Sequence, residues 1–80
     1  MEIKVLGTGC TSCRAMYENV VEIVGELGID ATVIKEEDLL KIMSYNILSL
    51  PSLVIDEKVV AKGPQNRKEL VKILKEYKNK

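Results

Sequence analysis

Histidine, tryptophan and phenylalanine are absent from the 80 residues of this chain, and cysteine occurs only twice. Without His, no imidazole can shuttle protons or ligate a metal. Without Trp or Phe, the core has to be built from Ile, Leu and Val with a few Tyr and Met. Net charge is missing too, since twelve Lys and Arg balance twelve Asp and Glu. Nucleic acid and anionic membrane both require a basic patch, so neither is the expected partner. No apolar run approaches the ~20 residues that span a bilayer. The start, Met1-Glu2-Ile3-Lys4-Val5-Leu6-Gly7, is too short and too charged for the apolar part of a signal peptide. A cytoplasmic location, which is reducing, is therefore the expectation.

A chain of 80 residues is expected to form a single domain over residues 1–80. Such a domain buries roughly 60–65% of the surface its unfolded form exposes, so its core must be compact and regular. Within it, the chemistry is concentrated in Cys10-Thr11-Ser12-Cys13. Closing a four-residue loop with a disulfide constrains the unfolded chain by only about 2 kcal/mol. As a structural staple the pair is therefore weak. A redox centre, a metal clamp and an inert pair all stay open on the residues alone, with the reducing compartment favouring the first two.

Hydrophobic periodicity supplies the surroundings. Glu2-Ile3-Lys4-Val5-Leu6 alternates as a strand does, and Gly7-Thr8-Gly9 breaks it. From Thr11 to Leu27 the residues Met16, Val20, Ile23, Val24 and Leu27 form a helical stripe that Gly28 ends as a C-terminal cap. Ala31–Ile34 reads as a second strand. Glu36–Tyr45 reads as a short helix with Leu39, Leu40, Ile42 and Met43 as its apolar contacts, acidic residues at its start and Asn46 as a left-handed terminator. Leu53–Ile55 and Lys58–Ala61 flank Asp56-Glu57 as a hairpin, whose turn lacks the usual Gly and so predicts a one-residue shift of its boundary. After Gly63-Pro64, Asn66 and Glu69 form a capping pair for a last helix carrying Leu70, Ile73, Leu74 and Tyr77. The order is β-α-β-α-β-β-α. Strands one and two should be parallel, because a crossover helix joins them. The hairpin then completes a four-stranded mixed sheet with helices on its faces.

The C-x-x-C falls at the first strand-to-helix turn. Thiol–disulfide exchange needs an accessible thiolate and a second thiol that resolves the mixed disulfide. At the helix start Cys10 should be the exposed member, with its pKa lowered by unpaired N–H groups and the dipole. Cys13, one turn further in, should be shielded and suits the resolving step. The second signal is Ser49-Leu50-Pro51-Ser52. Pro51 stands immediately before a central strand, where it cannot donate to the ladder and where a cis bond is far more accessible than for any other residue type. A plain loop proline is the bland alternative.

With both signals in place, the chain resembles the small thioredoxin- and glutaredoxin-like redox-active disulfide proteins of archaea and bacteria. The resemblance runs from Glu2 to Tyr77. Its landmarks are Gly7-Thr8-Gly9-Cys10-Thr11-Ser12-Cys13, the Gly28-Ile29-Asp30 turn, Leu50-Pro51 and Gly63. It implies a thioredoxin-like α/β fold and a thiol–disulfide oxidoreductase. By that resemblance Cys10 is the nucleophile, Cys13 resolves, and a cis Leu50–Pro51 bond faces the disulfide. The Leu50 backbone would pair with a bound substrate chain, and Pro51 would keep a competing metal from the thiols. Thr11, Ser12 and Gly63 would complete the wall of the site. The implied partners are disulfide-containing protein substrates and a thioredoxin-reductase-type or other electron donor, and the chain is expected to act as a monomer. No cofactor is implied beyond the Cys10–Cys13 disulfide itself. Thioredoxin's Trp and Gly-Pro beside the first Cys are replaced by Gly9 and Thr11-Ser12. The glutaredoxin Pro-Tyr and glutathione-binding segments have no counterpart.

Without His, proton handling falls to Cys13, water or a carboxylate such as Glu18. Glu18, Glu22 and Glu26, spaced four apart, more simply form a solvated helix face. Arg14 could favour the thiolate or be incidental, and Tyr17 reads as a packing residue. Two alternatives to the oxidoreductase remain: a soft-metal carrier and a non-catalytic interaction module. Small metallochaperones also place C-x-x-C after a first strand, and two thiolates suit Cu(I). Against that stand Thr8, where those carriers usually have Met, and a chain that ends in a helix rather than a strand.

Overall fold

The computed structural model describes residues 1–9, 11–47 and 49–78. β1 (Glu2–Leu6) lies inside a four-stranded sheet of order β2-β1-β3-β4. It pairs in parallel with β2 (Thr32–Glu36) and antiparallel with β3 (Ser52–Ile55), which pairs antiparallel with β4 (Lys58–Lys62). α1 (Thr11–Leu27) makes the crossover between β1 and β2, α2 (Leu39–Met43) leads towards β3, and α3 (Arg67–Lys78) follows β4. This is the α/β arrangement that the alternation of strand and helix patterns predicts.

Alternation along the strands divides the core between the two sheet faces. Ile3 and Val5 of β1, with Leu53 and Ile55 of β3, pack against Met16, Val20 and Ile23 of α1 and Leu70 and Leu74 of α3. On the opposite face Leu6 and Val54 meet Ile42 of α2 and Ile47. β3 is buried on both faces. A Leu70→Ala or Leu74→Ala truncation on the thicker face would cost about 2–5 kcal/mol by the usual cavity penalty.

The helix ends follow their capping residues. Gly28, at φ 64°, ends α1. Its N–H donates to the Gly25 carbonyl at 3.3 Å, while the Ile29 N–H donates to the Val24 carbonyl at 3.0 Å. That hydrogen-bond pair is a Schellman cap. Asn66 Oδ1 accepts from the Glu69 N–H at 2.8 Å, starting α3 as the Asn66/Glu69 spacing predicts.

Two sequence expectations are corrected. β2 runs to Glu36 rather than stopping at Ile34, because Glu36 pairs with Leu6 and its carbonyl accepts from the Gly7 N–H at 3.0 Å. Consequently α2 begins only at Leu39, capped by Asp38 Oδ1, which accepts from the Leu40 N–H at 3.0 Å. It is five residues long, and so short a helix can turn only one side chain fully inward. Ile42 is that residue. Leu39, Leu40 and Met43 are 55%, 80% and 57% exposed, not core contacts. Asn46 does adopt positive φ, at 57°.

The hairpin holds a different surprise. Ile55 pairs with Lys58, so Asp56-Glu57 is the whole turn and no boundary shift occurs. Both residues have positive φ, 48° and 68°, the signs a type I′ turn demands. Side-chain ties compensate for the missing Gly. The Asp56 N–H donates to the Glu2 carbonyl, and Asp56 Oδ1 accepts from the Glu2 N–H, both at 2.8 Å. Glu57 takes the Lys4 ammonium at 2.9 Å and the Tyr45 hydroxyl at 3.0 Å. The one irregularity is a bulge on β4, where Leu53 faces Ala61 but Val54 faces Val59.

The Lys4 ammonium and then the Tyr45 hydroxyl hold the Glu57 carboxyl below the ordinary glutamate value. A depressed native pKa contributes stability above the unfolded value, about 4.3, and that contribution fades as pH falls through the native value. Glu57→Gln keeps the backbone preference and removes the charge. Urea unfolding should therefore show a lower midpoint for Glu57→Gln at pH 7, with the gap from wild type closing in acid. An equal gap at both pH values would assign the loss to something other than the ion pair.

Candidate active site

Register brings the predicted site segments to one end of the sheet. Leu6 pairs with Glu36 and with Ser52, and Ser52 pairs with Lys62. The residues just beyond are Gly7, leading into α1, Pro51, leading into β3, and Gly63, leaving β4. Three stretches far apart in sequence thus emerge side by side.

Between β1 and α1 the chain turns through Gly9, at φ 85°. Thr11 and Ser12 open the helix and are exposed. Cys13, in its first turn, is 1% exposed and is disulfide-bonded. The chain's other cysteine, Cys10, with the exposure and nucleophilic role expected of it, lies outside the described residues. The helix start also supplies the unpaired N–H groups and positive dipole end that stabilise a thiolate nearby.

Gly7 is a site residue that sequence reasoning missed, since Gly7-Thr8-Gly9 reads only as a strand breaker. A Cβ on Gly7 would lie 2.6 Å from both Cβ and Sγ of Cys13. The Gly7 N–H is held to Glu36 of β2 at 3.0 Å, so the strand is not free to retreat. No local pattern signals this close approach, because it joins the end of a strand to the inner face of the following helix.

The Leu50–Pro51 peptide bond is cis. Pro51 is buried, and Leu50 is half-buried against the Leu6, Ile42, Ile47 and Val54 cluster. Behind them the fully buried Ser52 hydroxyl donates to the Ser49 carbonyl at 2.5 Å. Gly63, at φ 84°, is also buried.

Other candidates lie elsewhere. Tyr17 packs against the core cluster, and Arg14 and Glu18 are exposed. Glu22 and Glu26 are more than a solvated row: they hold the Arg67 guanidinium of α3 at 2.8 and 2.6 Å. That tie across 41 and 45 residues leaves no mark in the local spacing. Among the described residues, no group of three or more His, Cys, Asp or Glu could hold a metal ion, and no helix is long and apolar enough to cross a membrane.

The thioredoxin domain family matches residues 1–75. The chain belongs to that family. Two curated archaeal proteins named thioredoxin are similar to it. One, from Methanothermobacter thermautotrophicus, is 36% identical over 72 residues, covering 90% of this chain and 94% of its own. The other, from Methanocaldococcus jannaschii, is 37% identical over 76 residues, covering 94% of this chain and 87% of its own. In architecture the chain is similar to thioredoxin 1 of Thermosipho africanus, with a TM-score of 0.64 at 20% identity, over 96% of this chain and 93% of that one. The thioredoxin-like fold read from the landmarks is therefore the fold observed, and the activity is that of a thiol–disulfide oxidoreductase.

One substitution tested at two glycines separates the close approach from ordinary helix propensity. Gly7→Ala should destabilise the protein by about 1–3 kcal/mol, the usual overpacking range. Gly25 lies inside α1, where an added Cβ would meet no atom within 4 Å and φ is not positive. There the same change should stabilise by about 0.5–1 kcal/mol. Denaturant unfolding of the two variants checks both signs, and a neutral Gly7→Ala would contradict the packing argument.

Proposed function

We propose that Cys10 and Cys13 form the reactive pair that carries out thiol–disulfide exchange on protein substrates. The burial of Cys13 behind exposed Thr11 and Ser12 carries this reading. A thiol so placed is poorly suited to meet a macromolecule directly and well suited to attack a neighbour one helical turn away. In the first step the Cys10 thiolate attacks one sulfur of a substrate disulfide. The S–S bond breaks, a mixed disulfide forms, and the departing substrate thiolate takes a proton. Cys13, deprotonated, then attacks Cys10, closing the Cys10–Cys13 bond and releasing the second substrate thiol. The substrate gains two electrons and two protons, and the pair is oxidised by the same amount. A reductase or other dithiol donor of the thioredoxin-reductase type restores it.

Leu50 and Pro51, with Thr11, Ser12 and Gly63, form the wall against which the substrate chain lies, the Leu50 backbone pairing with it as an added strand. Their emergence at the same sheet end supports that role. Glu18 sits about 140° around α1 from Cys13 at 100° per residue, which favours water as the proton source. The chain acts as a single domain over residues 1–80, as a cytoplasmic monomer, with no cofactor beyond its own disulfide.

Reduction of insulin with dithiothreitol as electron source tests the assignment. Cys10→Ser should abolish it, whereas Cys13→Ser should accumulate a covalent mixed disulfide visible by mass. In reduced protein the Cys10 thiol should titrate well below the ~8.5 of a free cysteine. Equal activity in wild type and both variants would remove the pair from the mechanism.

A further inference from the structure

The space left by the missing side chain of Gly7 is occupied by Cys13. Among the described residues, and apart from its chain neighbours, the three atoms nearest to a Cβ placed on Gly7 all belong to that cysteine. Its Cβ and Sγ lie at 2.6 Å and its Cα at 3.7 Å. Non-bonded carbons rest about 3.5–4.0 Å apart, so no side chain fits. The same addition at Gly9, Gly25 or Gly28 would meet nothing within 4 Å, and at Gly63 only the Ser49 Cβ at 4.0 Å. The tight fit is confined to the cysteine assigned to the resolving step.

The strand side of this contact is fixed. Leu6, fully buried, pairs with Glu36 on one side and Ser52 on the other. The Gly7 N–H donates to the Glu36 carbonyl at 3.0 Å. Cys13 cannot yield by rotation alone. Turning about χ1 swings Sγ away but leaves Cβ, which the helix backbone holds in place. A side chain at position 7 therefore has to push back the first turn of α1, by close to ~1 Å if carbon contacts are to reach their ordinary separation. The resolving step is sensitive to such a shift. Cys13 Sγ must approach the Cys10 sulfur in line with the departing substrate sulfur, from about 3–3.5 Å, and a misplacement of about 1 Å can cost about a hundredfold in rate.

We propose that Gly7 is a positioning residue for the second step of exchange, its bare backbone seating Cys13 Sγ within attacking distance of the Cys10 mixed disulfide. The inference rests on the exchange reaction proposed for Cys10 and Cys13. Gly7 gives no group to the reaction and acts only through Cys13. The first step, attack of the Cys10 thiolate on a substrate disulfide, does not use Cys13 and is independent of the seat. Filling the seat therefore lengthens the life of the mixed disulfide without changing how fast it forms.

Stopped-flow reaction of the reduced protein with dithiobis(nitrobenzoate) reads the two steps separately. Attack by Cys10 breaks the reagent's S–S bond, forms the mixed disulfide and releases one coloured thiolate, in a phase whose rate rises with reagent concentration. Cys13, giving its proton to water, then closes the Cys10–Cys13 bond and releases the second thiolate in a phase independent of that concentration. Gly7→Ala should leave the first phase unchanged and slow the second by about tenfold to a hundredfold. Leu74→Ala, a core truncation on α3, destabilises the fold without touching the seat and should leave both phases unchanged. A second phase in Gly7→Ala as fast as in wild type would overturn the proposal. So would equal slowing of both phases, or a Leu74→Ala variant whose second phase slows as much. A wild type with no second phase would instead remove the exchange reaction itself, and this inference with it. The wild type also carries a check that needs no variant. A nuclear Overhauser contact between the Gly7 α-protons and the Cys13 β-protons should be present in oxidised and in reduced protein alike. Its loss on reduction would mean that the seat is gone when Cys13 attacks, and would overturn the proposal.

Discussion

The pairing of Leu6 with Ser52, and of Ser52 with Lys62, is the constraint on which the rest of this structure depends. Side chains alternate along a strand, so a one-residue slip would turn Ile3 and Val5 outward and drive Lys4 into the core. The same slip would separate the ends of β1 and β3 that carry Gly7 and Pro51. Burial therefore enforces the register, and the register builds the site end of the sheet. At the opposite end the reciprocal Glu2–Asp56 hydrogen bonds, both 2.8 Å, tie the hairpin to β1 in the same alignment.

The two faces of the sheet share the work unequally. α1 and α3 cover one face with long apolar stripes, and the Arg67 clamp on Glu22 and Glu26 together with Lys78 on the Leu27 carbonyl joins the two helices at the surface. The other face has only α2 and the segment after it. Its inward polar groups, the Lys4 ammonium and the Ser52 hydroxyl, are accommodated by pairing. The Lys4 ammonium meets Glu57, Tyr45 and Glu2, which raise its pKa, and the Ser52 hydroxyl meets the Ser49 carbonyl. The thinner cover follows directly from the length of β2, which takes residues that would otherwise have extended α2.

Much of this is legible in the sequence, and the boundary lies at locality. β1, α1 and the Gly28 cap are read correctly because alternation, a three-and-four apolar stripe and a left-handed glycine are signals a few residues long. The C-x-x-C and Leu50-Pro51 are equally local. What fails depends on partners elsewhere. Glu36 favours a helix start by composition, but Leu6 and Gly7 recruit it into a strand. Asp56 and Glu57 look wrong for a tight turn until Glu2, Lys4 and Tyr45 are seen to hold them. Gly7 reads as punctuation, although its missing side chain makes room for Cys13. In each case a contact across the fold overrides a sound local preference.

That close approach bears on how the proposed centre would work. The inner thiol is seated by steric fit, a strand backbone where any side chain would collide, and the sequence holds no imidazole that could adjust its ionisation. In the proposed mechanism, tuning of the outer thiol would fall to the unpaired amides and dipole at the start of α1. The chain that carries such a centre has zero net charge. Long-range steering speeds encounter with partners of one sign and suppresses encounter with the other. A disulfide-exchange centre without such a field gains breadth, because the disulfide it attacks is common to its partners whatever charge their side chains carry.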